Sequence, residues 1–213
     1  MGVLFGDETH PYSVGYFVGG WRLNVDRRSL LRLGANVVCA QSLLWTVGAD
    51  ADGQSTNRNT ALNPLIAALT KTGKSVCMDA GQRLSDKPPT DSTYNLHLRT
   101  ASLSEDDAKS IASAIKTVHE DSSLRLNSFS VSYNPRIQMG GAIALLEDLP
   151  SHLTELGMVG CSLNDELEPA ITLFLSRSEN LRLICVEEND FSPRVKGAIR
   201  DATKHLSRCL LIV

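Results

Sequence analysis

No stretch of this 213-residue chain approaches the roughly 20 consecutive apolar residues of a membrane-spanning helix, so no membrane partner is expected. Excess charge is scarce as well: 21 basic against 24 acidic side chains leave a net charge of −3. That balance offers none of the basic face that marks nucleic-acid binding, and no nucleic acid is expected. The five cysteines (39, 77, 161, 185 and 209) contain no CxxC pair and are odd in number, so reduced thiols are the simplest reading. Cys39, Cys77, Cys161 and Cys209 fall in or beside expected strands, where a free cysteine acts as a small hydrophobe.

Catalytic signatures are missing too. His10, His97, His119, His152 and His205 show no metal-ligand spacing with one another or with the cysteines. Ser110, Ser113 and Ser122 read as helix or turn residues, and neither GxSxG nor a phosphate-binding loop occurs. The loop beginning Asp50-Ala-Asp52-Gly53 starts like a calcium loop but lacks Gly at its sixth place and Glu at its twelfth, which leaves a solvated turn. No enzyme activity, metal or cofactor is expected. The start, MGVLFGDETHPYSVGYF, lacks the features of a secretory or transit peptide and points to the cytoplasm, with a cytoskeletal or organellar assembly also open. It is similar to a myristoylation signal, but Gly6 stands where Ser or Thr is required.

What is present is periodicity. At 42% hydrophobic and 21% charged, the chain can bury a core as one domain. The stretch LTELGMVGCSLND, starting at Leu153, puts apolar or small groups at relative positions 1, 4, 6, 9 and 11. Neither a helix nor a strand repeats that way, so the unit is compound: a short strand holds positions 4 and 6 on one side, and a bend holds 9 and 11. The spacing recurs at Leu181, Ile184, Val186, Asn189 and Phe191, and at Leu126, Phe129, Val131 and Asn134, with Ile137 one place late. A weaker copy has Leu96, Leu98, Ala101 and Leu103. An amphipathic run follows each copy: Asp107, Ile111 and Ile115; Gly141, Leu145 and Leu149; Leu167, Ile171 and Leu175; Val195 and Ile199. Each has helical spacing.

A strand, bend and helix in 27 or 28 residues falls within the range of leucine-rich repeats. Residues 93–205 resemble the ribonuclease-inhibitor-like subfamily of that class, with its pattern LxxLxLxxN/CxLxxxGxxxL. The departures are Ala101 at the Asn position, the extra residue after Asn134, and Leu167 and Val195 where Gly is expected. The resemblance implies an α/β fold: a leucine-rich repeat solenoid with parallel strands on the concave face and helices on the convex face, a right-handed horseshoe segment. It also implies that Asn134, Cys161 and Asn189 stack in register and serve the backbone of neighbouring turns.

Outside the regular repeats the chain is expected to divide into an N-terminal arm (1–20), degenerate repeats (21–92) and a terminal strand (208–213), with 21–213 as one domain. Strands are expected at 21–25, 36–40 and 75–78, with helices at 28–33 and 59–71. Pro88 and Pro89 mark 85–92 as a connection in place of a helix. The aromatic and glycine-rich start suits either an arm laid on another surface or a flap over the chain's own first strand. Cys209-Leu-Leu-Ile-Val213 reads as an uncapped apolar strand, to be covered by a neighbouring chain at Leu210 and Ile212 or to be continued in a longer sequence.

In such a solenoid, strand positions 3, 5, 7 and 8 face outward. They are Asn95, His97, Arg99 and Thr100; Ser128, Ser130, Ser132 and Tyr133; Glu155, Gly157, Val159 and Gly160; Leu183, Cys185, Glu187 and Glu188. This face is basic at one end, acidic at the other and small in the middle, which suits close approach of a protein partner held in one direction. His97 and Cys185 would lie about 14 Å apart across two intervening strands, too far for a base and nucleophile. The expected role is a non-catalytic protein-protein interaction scaffold, a subunit of a multi-subunit complex. An alternative follows from the resemblance, since the Ran GTPase-activating proteins share the repeat class; this chain is shorter and lacks their acidic tail.

Overall fold

The computed structural model describes residues 13–18, 21–26, 60–89 and 91–213. The chain divides into two compact units, 1–48 and 49–213. In the first, β1 (Ser13–Val18) pairs antiparallel with β2 (Trp21–Asp26) in a two-stranded sheet of its own. The strand expected at 21–25 is therefore present, but it does not extend the parallel sheet. The helix expected at 28–33, the strand at 36–40, Cys39, His10 and the turn at Asp50 lie outside the described residues.

Among the described residues the second unit is α/β, with a parallel five-stranded sheet and six helices. The strands are β3 (Thr93–His97), β4 (Arg125–Ser130), β5 (Glu155–Gly157), β6 (Leu183–Cys185) and β7 (Leu210–Ile212), adjacent in chain order. Two helices precede the sheet, α1 (Asn63–Lys71) and α2 (Ser75–Asp86). Four connect its strands: α3 (Glu105–Asp121), α4 (Gln138–Asp148), α5 (Glu168–Arg177) and α6 (Pro193–Ala202).

The expected strand at 75–78 is wrong, because these residues open α2. A strand would bury Val76 and Met78 together, yet Met78 is 42% exposed, whereas Cys77, Ala80 and Gly81 are buried at helical spacing. Cys77 is therefore a helix residue, although it still serves as a small buried hydrophobe. The helix also takes in Ser85 and Asp86 of the expected connection, and stops before Pro88 and Pro89. The expected helix at 59–71 is realised from Asn63.

Each connecting helix forms for a local reason. In α3, Ser104 Oγ accepts from Asp107 N at 3.3 Å while the Asp107 carboxylate accepts from Ser104 N at 2.8 Å, a reciprocal cap. Ala108, Ile111, Ala112, Ile115 and Val118 then form its buried stripe. Ser192 caps α6 through Val195 N, and Pro193 supplies its first turn. Neighbouring helices are tied by Lys74 with Asp107, Lys116 with Asp148 (3.6 Å) and Arg194 with Glu168 (2.6 Å). Arg177 Nη2 also donates to the final carbonyls of α4, Leu146 O at 2.5 Å and Glu147 O at 2.9 Å.

The core runs along one side of the sheet. Leu96, Phe129, Leu156 and Ile184 occupy one row of the strand register, all at most 1% exposed, and Leu98, Val131, Met158 and Val186 follow two residues on, all fully buried. Val131 N, Met158 N and Val186 N donate to Gly157 O, Cys185 O and Ile212 O at 2.9, 2.8 and 2.8 Å. The bends behind these strands are held by side chains from the next strand's bend. Asn134 Nδ2 donates to Leu98 O (2.8 Å) and Val131 O (2.7 Å), and its Oδ1 accepts from Leu103 N at 3.0 Å. Asn189 repeats this on Met158 O, Val186 O, Cys161 N and Leu163 N.

Cys161 holds the same place between them. Its thiol donates to Val131 O at 3.3 Å but has no carbonyl oxygen with which to accept. The bend it serves is therefore closed differently: residues Pro135–Ile137 form a 3-10 turn in which Ile137 N donates to Asn134 O at 3.2 Å. That accounts for the extra residue after Asn134. Ala101 departs from the pattern for a related reason, since among the described residues helices α1 and α2, not a strand and bend, directly precede β3.

Candidate partner-binding face

The strand register assembles the candidate residues into rows on the side opposite the core. Asn95, Ser128, Glu155, Leu183 and Leu210 align across the sheet, as do His97, Ser130, Gly157, Cys185 and Ile212. Beyond the strand ends, Thr100 N, Tyr133 N and Gly160 N donate to Ser132 O, Val159 O and Glu187 O at 3.0, 2.7 and 3.1 Å. These bonds carry the register through the rows of Arg99, Ser132, Val159 and Glu187, and of Thr100, Tyr133, Gly160 and Glu188.

That last row has a common backbone state. Thr100, Tyr133, Gly160 and Glu188 all have left-handed φ, at 54°, 61°, 58° and 58°. For a non-glycine residue this conformation costs about 1–2 kcal/mol. The amide bonds of the row offset that cost for Thr100 and Tyr133, and the chain is turned there from the sheet toward the helices.

Exposure separates the candidates. His97, Glu155 and Glu188 are exposed, while Arg99, Ser130, Tyr133, Cys185 and Glu187 are half-buried. Ser132 and Val159 are buried at 3% and 2% exposed, and Ser132 Oγ accepts from Val159 N at 3.1 Å, so both hold the face together from beneath. The edge candidates lie on β7, with Leu210 58% exposed and Ile212 half-buried. No further strand flanks β7 among the described residues.

A polar chain crosses three strands. Ser128 Oγ donates to Glu155 Oε2 at 2.8 Å, which commits its single proton, so the contact with His97 Nε2 at 2.8 Å is a donation from the imidazole to the serine. Although the residue is exposed overall, desolvation of its ring holds the His97 pKa below its usual value; the Glu155 carboxylate opposes this and the Arg83 charge adds to it. The group types match a hydrolytic triad, but the order does not. Serine lies between histidine and carboxylate, so the histidine does not receive the serine's proton.

A second link spans the basic and acidic ends. The Arg99 guanidinium lies 4.3 Å from the Tyr133 ring centroid, and Tyr133 OH donates to Glu188 Oε1 at 3.3 Å. The Tyr133 ring passes over Gly160, where a Cβ would lie 3.0 Å from ring Cδ1. Likewise a Cβ on Gly157 would lie 2.8 Å from Ser130 Oγ. The space expected to admit a partner in the middle of the face is thus partly filled by the chain's own side chains. The sequence marks Gly160 as small but carries no sign that Tyr133 fills the room. Burial, followed by the Glu187 and Glu155 carboxylates and Cys209, pushes the Cys185 thiol up to about 11, so it stays protonated at neutral pH.

Among the described residues, no group of three or more His, Cys, Asp or Glu side chains could hold a metal ion, and no helix is long and apolar enough to cross a membrane. No protein-family model matches the chain, and no curated protein matches it.

Proposed function

We propose that this chain is a leucine-rich repeat solenoid of the ribonuclease-inhibitor-like kind, acting as a non-catalytic scaffold subunit that binds a protein partner through the outward face of its parallel sheet. The observation that carries the reading is the exposure of that face. Parallel sheets are ordinarily covered on both sides, yet His97, Glu155 and Glu188 stand exposed on one side while the other is buried against helices. Support for the solenoid comes from Asn134, Cys161 and Asn189, which make equivalent bonds at successive bends. The apolar β7 edge at Leu210 and Ile212 adds a second contact for a neighbouring subunit. The free cysteines 77, 161, 185 and 209 suit a reducing cytoplasmic setting.

The test is affinity capture with the wild-type chain and with Glu187→Lys/Glu188→Lys. A partner bound in stoichiometric amount by the wild type and lost by the double variant is expected. Unchanged capture by the variant, at unchanged thermal stability, removes the face from the binding reaction.

A further inference from the structure

The first strand of the parallel sheet has an edge that the outward-face reading does not use. In β3 the register turns Ser92 O, Leu98 N and Thr100 N toward β4. By strand alternation, the backbone N–H and C=O groups of Thr93, Asn95 and His97 point the other way. No strand lies on that side among the described residues. It opens instead into a groove of about 570 Å³ between β3 and the C-terminal half of α2.

The groove has a built character. Half-buried Leu84 supplies an apolar wall over a floor of Ala80 and Tyr94, which are 4% and 5% exposed, and the strand edge supplies backbone groups that face no other strand among the described residues. Arg83 and Lys87 stand on the rim, and neither enters an ion pair among the described residues. The one carboxylate on the rim, Asp86, accepts from Gln82 Nε2 at 2.7 Å. Two cations outside any ion pair therefore face one carboxylate, a balance of +2 against −1 on the rim.

We propose that this groove binds an extended, acidic peptide segment by strand addition to β3. The edge amides and carbonyls pair with the peptide backbone, and alternate side chains of the peptide fall against Leu84. Arg83 and Lys87 select carboxylates on the peptide, which fixes specificity without contributing to the strand pairing itself. An extended peptide meets all three features at once: a straight row of backbone groups, an apolar wall along it and cations along the rim.

The test uses the full chain and three labelled probes, read by fluorescence anisotropy: a short peptide of alternating valine and glutamate, its valine and lysine counterpart, and the acidic peptide N-methylated at alternate residues. The acidic peptide binds and the basic one does not. N-methylation on the paired edge abolishes binding, because it removes the strand hydrogen bonds while leaving the charges. Arg83→Glu/Lys87→Glu weakens the acidic peptide roughly tenfold or more. Amide exchange of Asn95 and His97 slows in the complex, while that of Leu98 does not change. Failure of the acidic peptide to bind, equal binding of the N-methylated peptide, or indifference to the charge reversal overturns the proposal.

Discussion

Asn189 reaches back one strand to Met158, donating from Nδ2 to its carbonyl at 2.8 Å while Oδ1 accepts from Cys161 N at 3.0 Å. One side chain thus closes its own bend and the bend before it. Asn134 does the same against Leu98 and Leu103, and is fully buried.

Replacing either asparagine with leucine strands backbone groups that it alone serves among the described residues: Leu98 O and Leu103 N for Asn134, and Met158 O, Cys161 N and Leu163 N for Asn189. An unsatisfied buried group costs about 1–3 kcal/mol, so Asn134→Leu is expected to lose roughly 3 kcal/mol and the half-buried Asn189→Leu roughly 2 kcal/mol. Urea unfolding of the two variants at neutral pH measures both values.

Gly160 and Thr100 share a left-handed backbone, at φ 58° and 54°, but differ in surroundings. Gly160→Ala adds a Cβ 3.0 Å from the Tyr133 ring to the conformational cost, and is expected to destabilise by about 2 kcal/mol. Thr100→Gly relieves that backbone cost at an exposed site, and the added freedom of the unfolded chain offsets most of the gain, so its unfolding free energy stays within about 1 kcal/mol of wild type. Near-ultraviolet circular dichroism should report the displaced tyrosine in the first variant alone.

His152 packs against His119 with ring centroids 4.9 Å apart, and its buried Nε2 has no hydrogen-bond partner among the described residues. Burial, then the neighbouring His119 and Arg125 charges, holds its pKa below the usual histidine value. The neutral ring is thus the form the folded state accepts. Its contribution is intact above the unfolded pKa of about 6.5 and is lost as the pH falls through the lower folded value. The melting temperature of wild type is expected to fall on acidification below about pH 6.5, and that of His152→Leu to fall less. His97, shifted in the same direction by burial, leaves part of the slope in place.

The parts of this structure that were readable in the sequence are those fixed by which side of the chain is apolar. Leu96, Phe129, Leu156 and Ile184, with their partners two residues on, announce a one-sided strand, and the asparagines announce the bend. Where the apolar signal is thin, two periods compete. Val76 and Met78 suggest a strand, but Cys77, Ala80 and Gly81 decide for a helix, because these small residues are the ones that can be buried closely. The outward face was readable in direction but not in occupancy. Polarity places Tyr133 and Gly160 outside, while the approach of one over the other depends on the shared left-handed row and on contacts between strands.

The same face carries the partner prediction in its charge. Glu187→Lys/Glu188→Lys removes the bond from Tyr133 OH to Glu188 and leaves the buried rows unchanged, so the variant is expected to unfold within about 1 kcal/mol of wild type while losing its captured partner. Leu173→Lys, at a site 63% exposed on α5, should retain that partner. Quantitative mass spectrometry of the captured proteins compares the three chains.

The register of the parallel strands decides which side chains face outward, since a slip of one residue would turn His97 and Glu155 into the core and Leu96 and Leu156 out of it. Through-hydrogen-bond scalar couplings in nuclear magnetic resonance measure it directly. Couplings are expected from Val131 N to the Gly157 carbonyl, from Met158 N to Cys185 and from Val186 N to Ile212, matching bonds of 2.9, 2.8 and 2.8 Å. Couplings displaced by one residue, or an antiparallel pattern, would contradict both the bend ladder and the outward face.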